Sequence, residues 1–325
     1  MTDRAADLIV ADAGPAVPAR RHMTDDPFAM FSRPPRVAWT RGNGCLQLAE
    51  LLSDGVPLSI GGDLPRACVE RRVDLLVTRR LTNFDLVPTL VPHAFDETNV
   101  RAVTAAVADG PHTPLAAAVA ARLGAALGVP AEVATVYRSA DELPAAIQRL
   151  DGLGRPHPDI GRRAAHAPSA VHLIDTLSPE TLLVVGAPEG SWFQRQLYGT
   201  GHRLLVSAPA GSVQVRSAPR RAFQAASDAT GVAFGSHLTV ADARRLVGHR
   251  TVPVADGGLL VGILRAAVLD GVPAHLTVAD VMEPPVAAHS HHTLSEVEDL
   301  RAALDGGPIP IVDDAGYLLG IANHT

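Results

Sequence analysis

From residue 36 onward, apolar and polar positions fall into short blocks whose period switches between two and about 3.6, the signature of strands alternating with helices. The first blocks predict strands at 37–40, 57–60 and 73–78, with helices at 46–52 and 64–71 between them. A second series begins at Val100. It predicts strands at 100–108, 131–137, 160–164, 182–185 and 213–215, with helices at 142–150 and 169–177. Its first helix has Thr113 as cap and Pro114 as first residue, and stops at Gly128. Such alternation implies a parallel sheet covered by helices, an α/β fold.

After residue 218 the rhythm changes to a repeat. A helix at 239–247 precedes strands at 251–254 and 259–264 joined through Asp256-Gly257-Gly258; a helix at 294–304 then precedes strands at 309–312 and 317–321. Residues 1–35 carry Pro15, Pro18, Pro27, Pro34 and Pro35 among small and charged residues, which suits an extended tail.

Charge and composition then narrow the function classes. The net charge is −6 and every one of the 28 basic side chains is Arg. Without a basic excess, nucleic-acid binding is not expected. With no lysine, a Walker-type phosphate loop and Schiff-base chemistry are both excluded. Cys45 and Cys68 show neither a disulfide framework nor metal-site spacing, so a reducing compartment, the cytoplasm, is expected. The N-terminus, with Asp3, Arg4 and Asp7, lacks the pattern of a secretory signal. The longest apolar run, 115–129, is interrupted by Arg122 and falls short of the ~20 residues that span a bilayer, so no membrane association is expected.

Residues 99–217 resemble the universal stress protein family, whose fold is the adenine nucleotide α hydrolase-like parallel sheet. The resemblance is carried by Asp109 at the end of the first strand, by Arg122-Leu123-Gly124-Ala125, and by Leu183-Val184-Val185-Gly186. It is most specific in the phosphate segment G-x2-G-x9-G-[ST], onto which Gly186, Gly199 and Thr200 fall. Position 189 is Glu where the pattern has Gly, with Gly190 following. The resemblance implies Asp109, Val136, Gly186, Gly190, Gly199 and Thr200 as nucleotide contacts, ATP or AMP as ligand and Mg2+ as an ion admitted beside it. Glycines there would let the backbone approach the phosphates, and helix amides would take their oxygens. Glu189 opposes this as a like charge, which His202 and Arg203 would offset. On local chemistry alone, the same residues serve equally as turn glycines and an N-cap.

Residues 218–325 resemble a tandem CBS domain pair, a regulatory module that binds adenosine-containing ligands between its halves. The match rests on Thr251-Val252-Pro253-Val254 with Leu259-Leu260-Val261-Gly262-Ile263. It continues in Val278-Ala279-Asp280-Val281-Met282, Ile309-Pro310-Ile311-Val312-Asp313 and Leu319-Gly320-Ile321. The Ser/Thr and Asp that grip ribose in the family are replaced by Arg265 and Val268 in the first half, and by Asn323 and the chain end in the second. The block 36–98 looks like a partial, degenerate copy of the stress-protein unit, with 73–78 standing where 181–186 stands in the better copy.

His289, His291 and His292 offer a weak metal signal just before the capping Thr293, and solvated loop histidines are the expected state. No serine lies in a nucleophile elbow. The expected function is therefore adenine-nucleotide sensing or stress-response signalling, without catalysis. The alternatives are a non-ligand-binding dimerisation scaffold and, last, an ATP-hydrolysing enzyme. A homodimer is expected, through a free edge at 213–215 and through the helices at 239–247 and 294–304. The alternative at that edge is capping by the 36–98 block within one chain.

Overall fold

The computed structural model describes residues 34–169, 171–187, 208, 210–227, 233–247, 251–303 and 307–322. The described residues fall into two compact units, one within 34–64 and 73–218, the other within 65–72 and 219–322. The tail at 1–33 lies outside the described residues.

The first unit is built on one nine-stranded sheet. Its strands are β1 (Val37–Trp39), β2 (Leu58–Ser59), β3 (Leu75–Val77), β4 (Thr89–His93), β5 (Ala102–Ala106), β6 (Ala131–Tyr137), β7 (Gly161–His166), β8 (Thr181–Gly186) and β9 (Ser212–Arg216), in the order β2-β1-β3-β4-β9-β8-β5-β6-β7. Every neighbouring pair is parallel except β4–β9, which is antiparallel and centred on Val91 opposite Gln214. Two parallel half-sheets thus meet back to back. About that pivot β4 corresponds to β9, β3 to β8, β1 to β5 and β2 to β6. The registers place Leu75 and Leu76 on Leu182 and Leu183, and Val37 on Val103. Asp74, rather than Val73, therefore stands at Thr181, so the two copies align one residue away from the expected 73–78 match.

Helices α1 (Cys45–Leu52) and α3 (Thr113–Leu127) occupy corresponding places after β1 and β5 and pack against each other. The buried Leu115, Val119 and Leu123 of α3 recur at i and i+4, the spacing of a single helix face, and small alanines beside them allow close approach. Together with Leu48 and Leu52 of α1, Leu75, Leu90, Leu182 and Val213, they form one apolar core through both half-sheets. Thr113 does not cap α3: His112 holds the N-cap position, and the Thr113 hydroxyl donates instead to the Ala108 carbonyl at 2.7 Å. Helices α4 (Leu143–Gly154) and α5 (Val171–Ile174) follow β6 and β7.

Strand β4 has no counterpart among the expected elements, and Pro92 explains why. A proline in the middle of a run argues against a central strand because it removes a ladder donor. Here Leu90 turns its carbonyl towards β3, accepting from the Thr78 amide at 2.9 Å. Two residues on, Pro92 turns its nitrogen to the same side, past the last β3–β4 pair at Val77 and Leu90, so no ladder bond is lost. With β4 in place, β9 is paired on both sides and has no free edge.

In the second unit, α2 (Leu64–Glu70) contributes residues 65–70. Beyond it, Arg72 donates to the carbonyls of Ala226 at 3.0 Å and Leu319 at 2.5 Å. The repeat is then observed as α7 (Val240–Val247) with hairpin β10 (Thr251–Asp256) and β11 (Leu259–Arg265), and α8 (Leu294–Ala303) with β12 (Ala288–His289), β13 (Ile309–Val312) and β14 (Leu318–Ala322). The lead-in segments cross over. Ala222 and Ala226, in and after the short α6 (Ala222–Ala225), pack with Val297, Ile309 and Ile311 of the second half. Val278, Val281 and Met282 pack with Val240, Val254 and Leu264 of the first. The crossings are tied by matching bonds, Ser227 amide to Ile321 carbonyl at 2.9 Å and Glu283 amide to Ile263 carbonyl at 2.9 Å. This crossing is why both hairpins carry Gly-Ile. A Cβ on Gly320 would lie 2.1 Å from the Ser227 carbonyl oxygen, and one on Gly262 would lie 2.9 Å from that of Glu283.

Candidate functional site

In the half-sheet β7-β6-β5-β8-β9, the chain runs outward in one direction from β5 to β7 and returns on the other side with β8. By the general rule for open α/β sheets, such a reversal leaves a crevice at the carboxyl ends of β5 and β8, where ligands are taken. Asp109 follows β5 and Gly186 ends β8, so the topology brings these two expected residues to its two walls. A Cβ on Gly186 would stand 3.1 Å from the Cβ of His112, a tight contact that only a small shift of His112 would relieve. His112 is itself buried, its Nδ1 2.7 Å from the Ser217 hydroxyl and 3.1 Å from the Ser217 amide, which donates to it. Val136, half-buried on β6, lies on the far side of β5 from β8. Gly190, Gly199 and Thr200, with Glu189, His202 and Arg203, lie outside the described residues.

Asp109 is not idle. Arg149 of α4 grips it with two bonds, Nε to Oδ1 at 2.7 Å and Nη2 to Oδ2 at 2.6 Å. Arg149 also reaches the Thr135 hydroxyl at 3.3 Å, and that hydroxyl donates to the Val107 carbonyl at 2.9 Å. The carboxylate remains 85% exposed, so the clasp contributes no more than about 1 kcal/mol, and an incoming hydroxyl can displace it.

In the second unit, the residues standing where the ribose clamp would be are otherwise engaged. Arg265 pairs with Glu283 at 3.1 Å across the strand crossing, and Val268 is half-buried. Asn323 lies outside the described residues.

No family model matches the chain, and no curated protein matches it significantly. The solved structures similar to it are CBS-domain pair proteins, covering about 30% of its length. The CBS domains of a transcriptional regulator from Streptococcus pneumoniae match at 19% identity and a TM-score of 0.27, over 30% of this chain and 87% of that one. A CBS-pair protein from Arabidopsis thaliana matches at 21% and 0.27, over 30% and 84%. The soluble part of a magnesium transporter matches at 22% and 0.27, over 28% of this chain; the match spans 40% of that protein.

The three histidines do gather, with ring centroids 5.2–5.6 Å apart, and the His291 Nδ1 lies 3.5 Å from Asp314. Among the described residues, however, no group of three or more His, Cys, Asp or Glu is placed to hold a metal ion. No helix among them is long and apolar enough to cross a membrane. Two residues at the crevice, His112 and Arg149, escaped the sequence. His112 stands three residues from Asp109 without a motif, and Arg149 reaches it only because α4 folds back after β6.

Proposed function

We propose that the chain is a regulatory protein, without catalysis, that senses an adenine nucleotide at the carboxyl ends of β5 and β8. The observation that carries this is the reversal of strand order between β5 and β8, with Asp109 on one wall and a closely packed glycine, Gly186, on the other. The strand order and the β8 phosphate-side glycine both support the universal stress protein resemblance for this unit. The crossed repeat of the second unit supports the CBS-pair resemblance and the regulatory assignment. There Arg265 is held by Glu283, so the first unit rather than the second takes the nucleotide, ATP or AMP, with Mg2+ beside a bound triphosphate. Asp109, Val136, Gly186, Gly190, Gly199 and Thr200 remain the proposed contacts, and the two buried thiols fit the cytoplasm and its stress responses.

A homodimer is part of this proposal, but not through β9, which is paired on both sides. The remaining route is through α7 and α8. Leu246 on α7 is an exposed large hydrophobic side chain, 64% accessible.

Equilibrium dialysis of the full chain against ATP, ADP, AMP and GTP tests the nucleotide site. Saturable adenine-selective binding, weakened by Gly186→Val, is expected. Absence of binding at millimolar nucleotide with magnesium supports the scaffold alternative, in which the Arg149 clasp permanently closes Asp109.

A further inference from the structure

The first half-sheet has a crevice of its own. Its order β2-β1-β3-β4 reverses between β1 and β3, as the other half reverses between β5 and β8. The two strand ends are locked side by side: the Thr40 amide donates to the Val77 carbonyl at 3.0 Å and the Thr40 hydroxyl to that of Thr78, also at 3.0 Å. The next residues on the two strands are Arg41 and Arg79, followed on β3 by Arg80, all exposed. Gly42 seals the loops together, since a Cβ there would lie 3.0 Å from the Cβ of Arg79. None of these three guanidiniums makes a hydrogen bond or ion pair among the described residues.

Three other arginines of the same unit are held by carboxylates. Arg122 is paired with Asp54, Arg149 with Asp109 and Arg163 with Glu132. Counting on along the pseudo-symmetric registers, Arg79 occupies the place of Gly186, and Asn43 that of Asp109. The first half thus has Arg79 and Arg80 where the second has Gly186 and Ala187, and a neutral amide where the second has a carboxylate. Helix α1 opens the same crevice behind Gly44, with no acidic residue in its first turn.

We propose that the β1–β3 crevice is a second ligand site, for a small phosphate ester or pyrophosphate, held by Arg41, Arg79 and Arg80. Like charges carried on adjoining strand ends without a counter-ion repel one another until an anion enters, and the planar guanidinium fits phosphate oxygens two at a time. A small ligand suits the crevice better than a polyanion, because the chain carries a net charge of −6 and the cationic patch is confined to two adjacent loops. The site is independent of the nucleotide site and needs no adenine.

Isothermal titration of the full chain with inorganic pyrophosphate, a probe without adenine or ribose, tests this. Saturable binding is expected, weakened about tenfold or more by Arg79→Gln, and similarly by Arg41→Gln, since each removes charge-assisted hydrogen bonds. Arg155→Gln, which removes the same charge from the end of α4, should leave it unchanged. Circular dichroism melts of the exposed-site variants should match the parent. Equal weakening by Arg155→Gln would show a mere net-charge effect and overturn the site, as would the absence of saturable binding. Tighter binding of a DNA duplex than of pyrophosphate would overturn the choice of a small ligand.

Discussion

At the residue scale, space decides more than identity. Gly320 and Gly262 stand where a crossing segment passes within contact of the hairpin backbone. At Gly320 the obstructing atom is the Ser227 carbonyl oxygen, which cannot swing aside as a side chain would. Gly320→Ala should therefore cost about 1–3 kcal/mol, the usual range for overpacking. Gly55→Ala, with nothing within 4 Å of the new methyl, should change stability by less than about 0.5 kcal/mol. Urea unfolding of both variants checks this; equal effects would mean the crossing is not close. The two cysteines are as constrained. Burial pushes the Cys68 thiol up to about 12, so it stays a neutral thiol in the folded chain at ordinary pH. A disulfide reagent at pH 8 should leave Cys68 unmodified in the native protein and modify it promptly in urea, as the thiolate is the reactive form. Labelling at equal rates in both states would contradict its burial. Neither result was legible in the sequence, where Gly320 and Gly262 were only members of a family-like pattern. The reason for glycine lies in a segment nearly a hundred residues away for one and about twenty for the other.

At the element scale, the strands that obey local patterning were legible and those made by pairing were not. The 131–137 strand is a short, mostly apolar block between Pro130 and the polar Arg138-Ser139, and is observed as β6 with the same bounds. β4 breaks the local rule with Pro92, and only its partner β9 makes it a strand. β12 is two residues long and held by β13 alone. The same dependence governs the site: Asp109 and Gly186 were legible as strand-end residues, but Arg149 needed the fold. Substituting proline elsewhere in the β4–β9 ladder should be far less tolerated than Pro92 is. Val91 and Gln214, at its centre, alternate in orientation with Pro92 and Val213, so their amides face the partner strand. Gln214→Pro should cost about 3 kcal/mol or more, because it removes a bonded donor from a strand enclosed on both sides. Gln214→Thr should be near neutral. Urea unfolding followed by tryptophan fluorescence measures both, and a tolerated Gln214→Pro would mean that the two half-sheets do not depend on this junction.

At the scale of the whole molecule, the two units differ in how they are held, and pH should separate them. Carboxylates cap and tie the loops of the second unit. Asp280 accepts from the hydroxyl and amide of Thr277, Glu296 from those of Thr293, Asp256 from those of Ser236, and Asp242 from the Thr239 hydroxyl and Arg245. These bonds hold all four carboxyls below their ordinary values of 3.8 for Asp and 4.5 for Glu. In the first unit only Asp96 is lowered among the described residues, through Thr98. A group whose folded pKa is depressed stabilises the fold fully above its unfolded value, and that contribution is lost as pH falls through the folded one. The second unit should therefore lose more stability than the first as pH falls from about 5 to 3, within the window those ordinary values set. The two signals can be told apart because Trp39 lies in the first unit and the sequence of the second, 65–72 and 219–325, holds no tryptophan. Thermal melts at pH 7 and near pH 4 should show the circular dichroism transition of the whole chain broadening to lower temperature, while the tryptophan transition moves less. If both move together, either the caps contribute nothing or the units unfold as one. Asp280→Asn with Glu296→Gln then decides between these, because inert caps predict no change in the melt at pH 7.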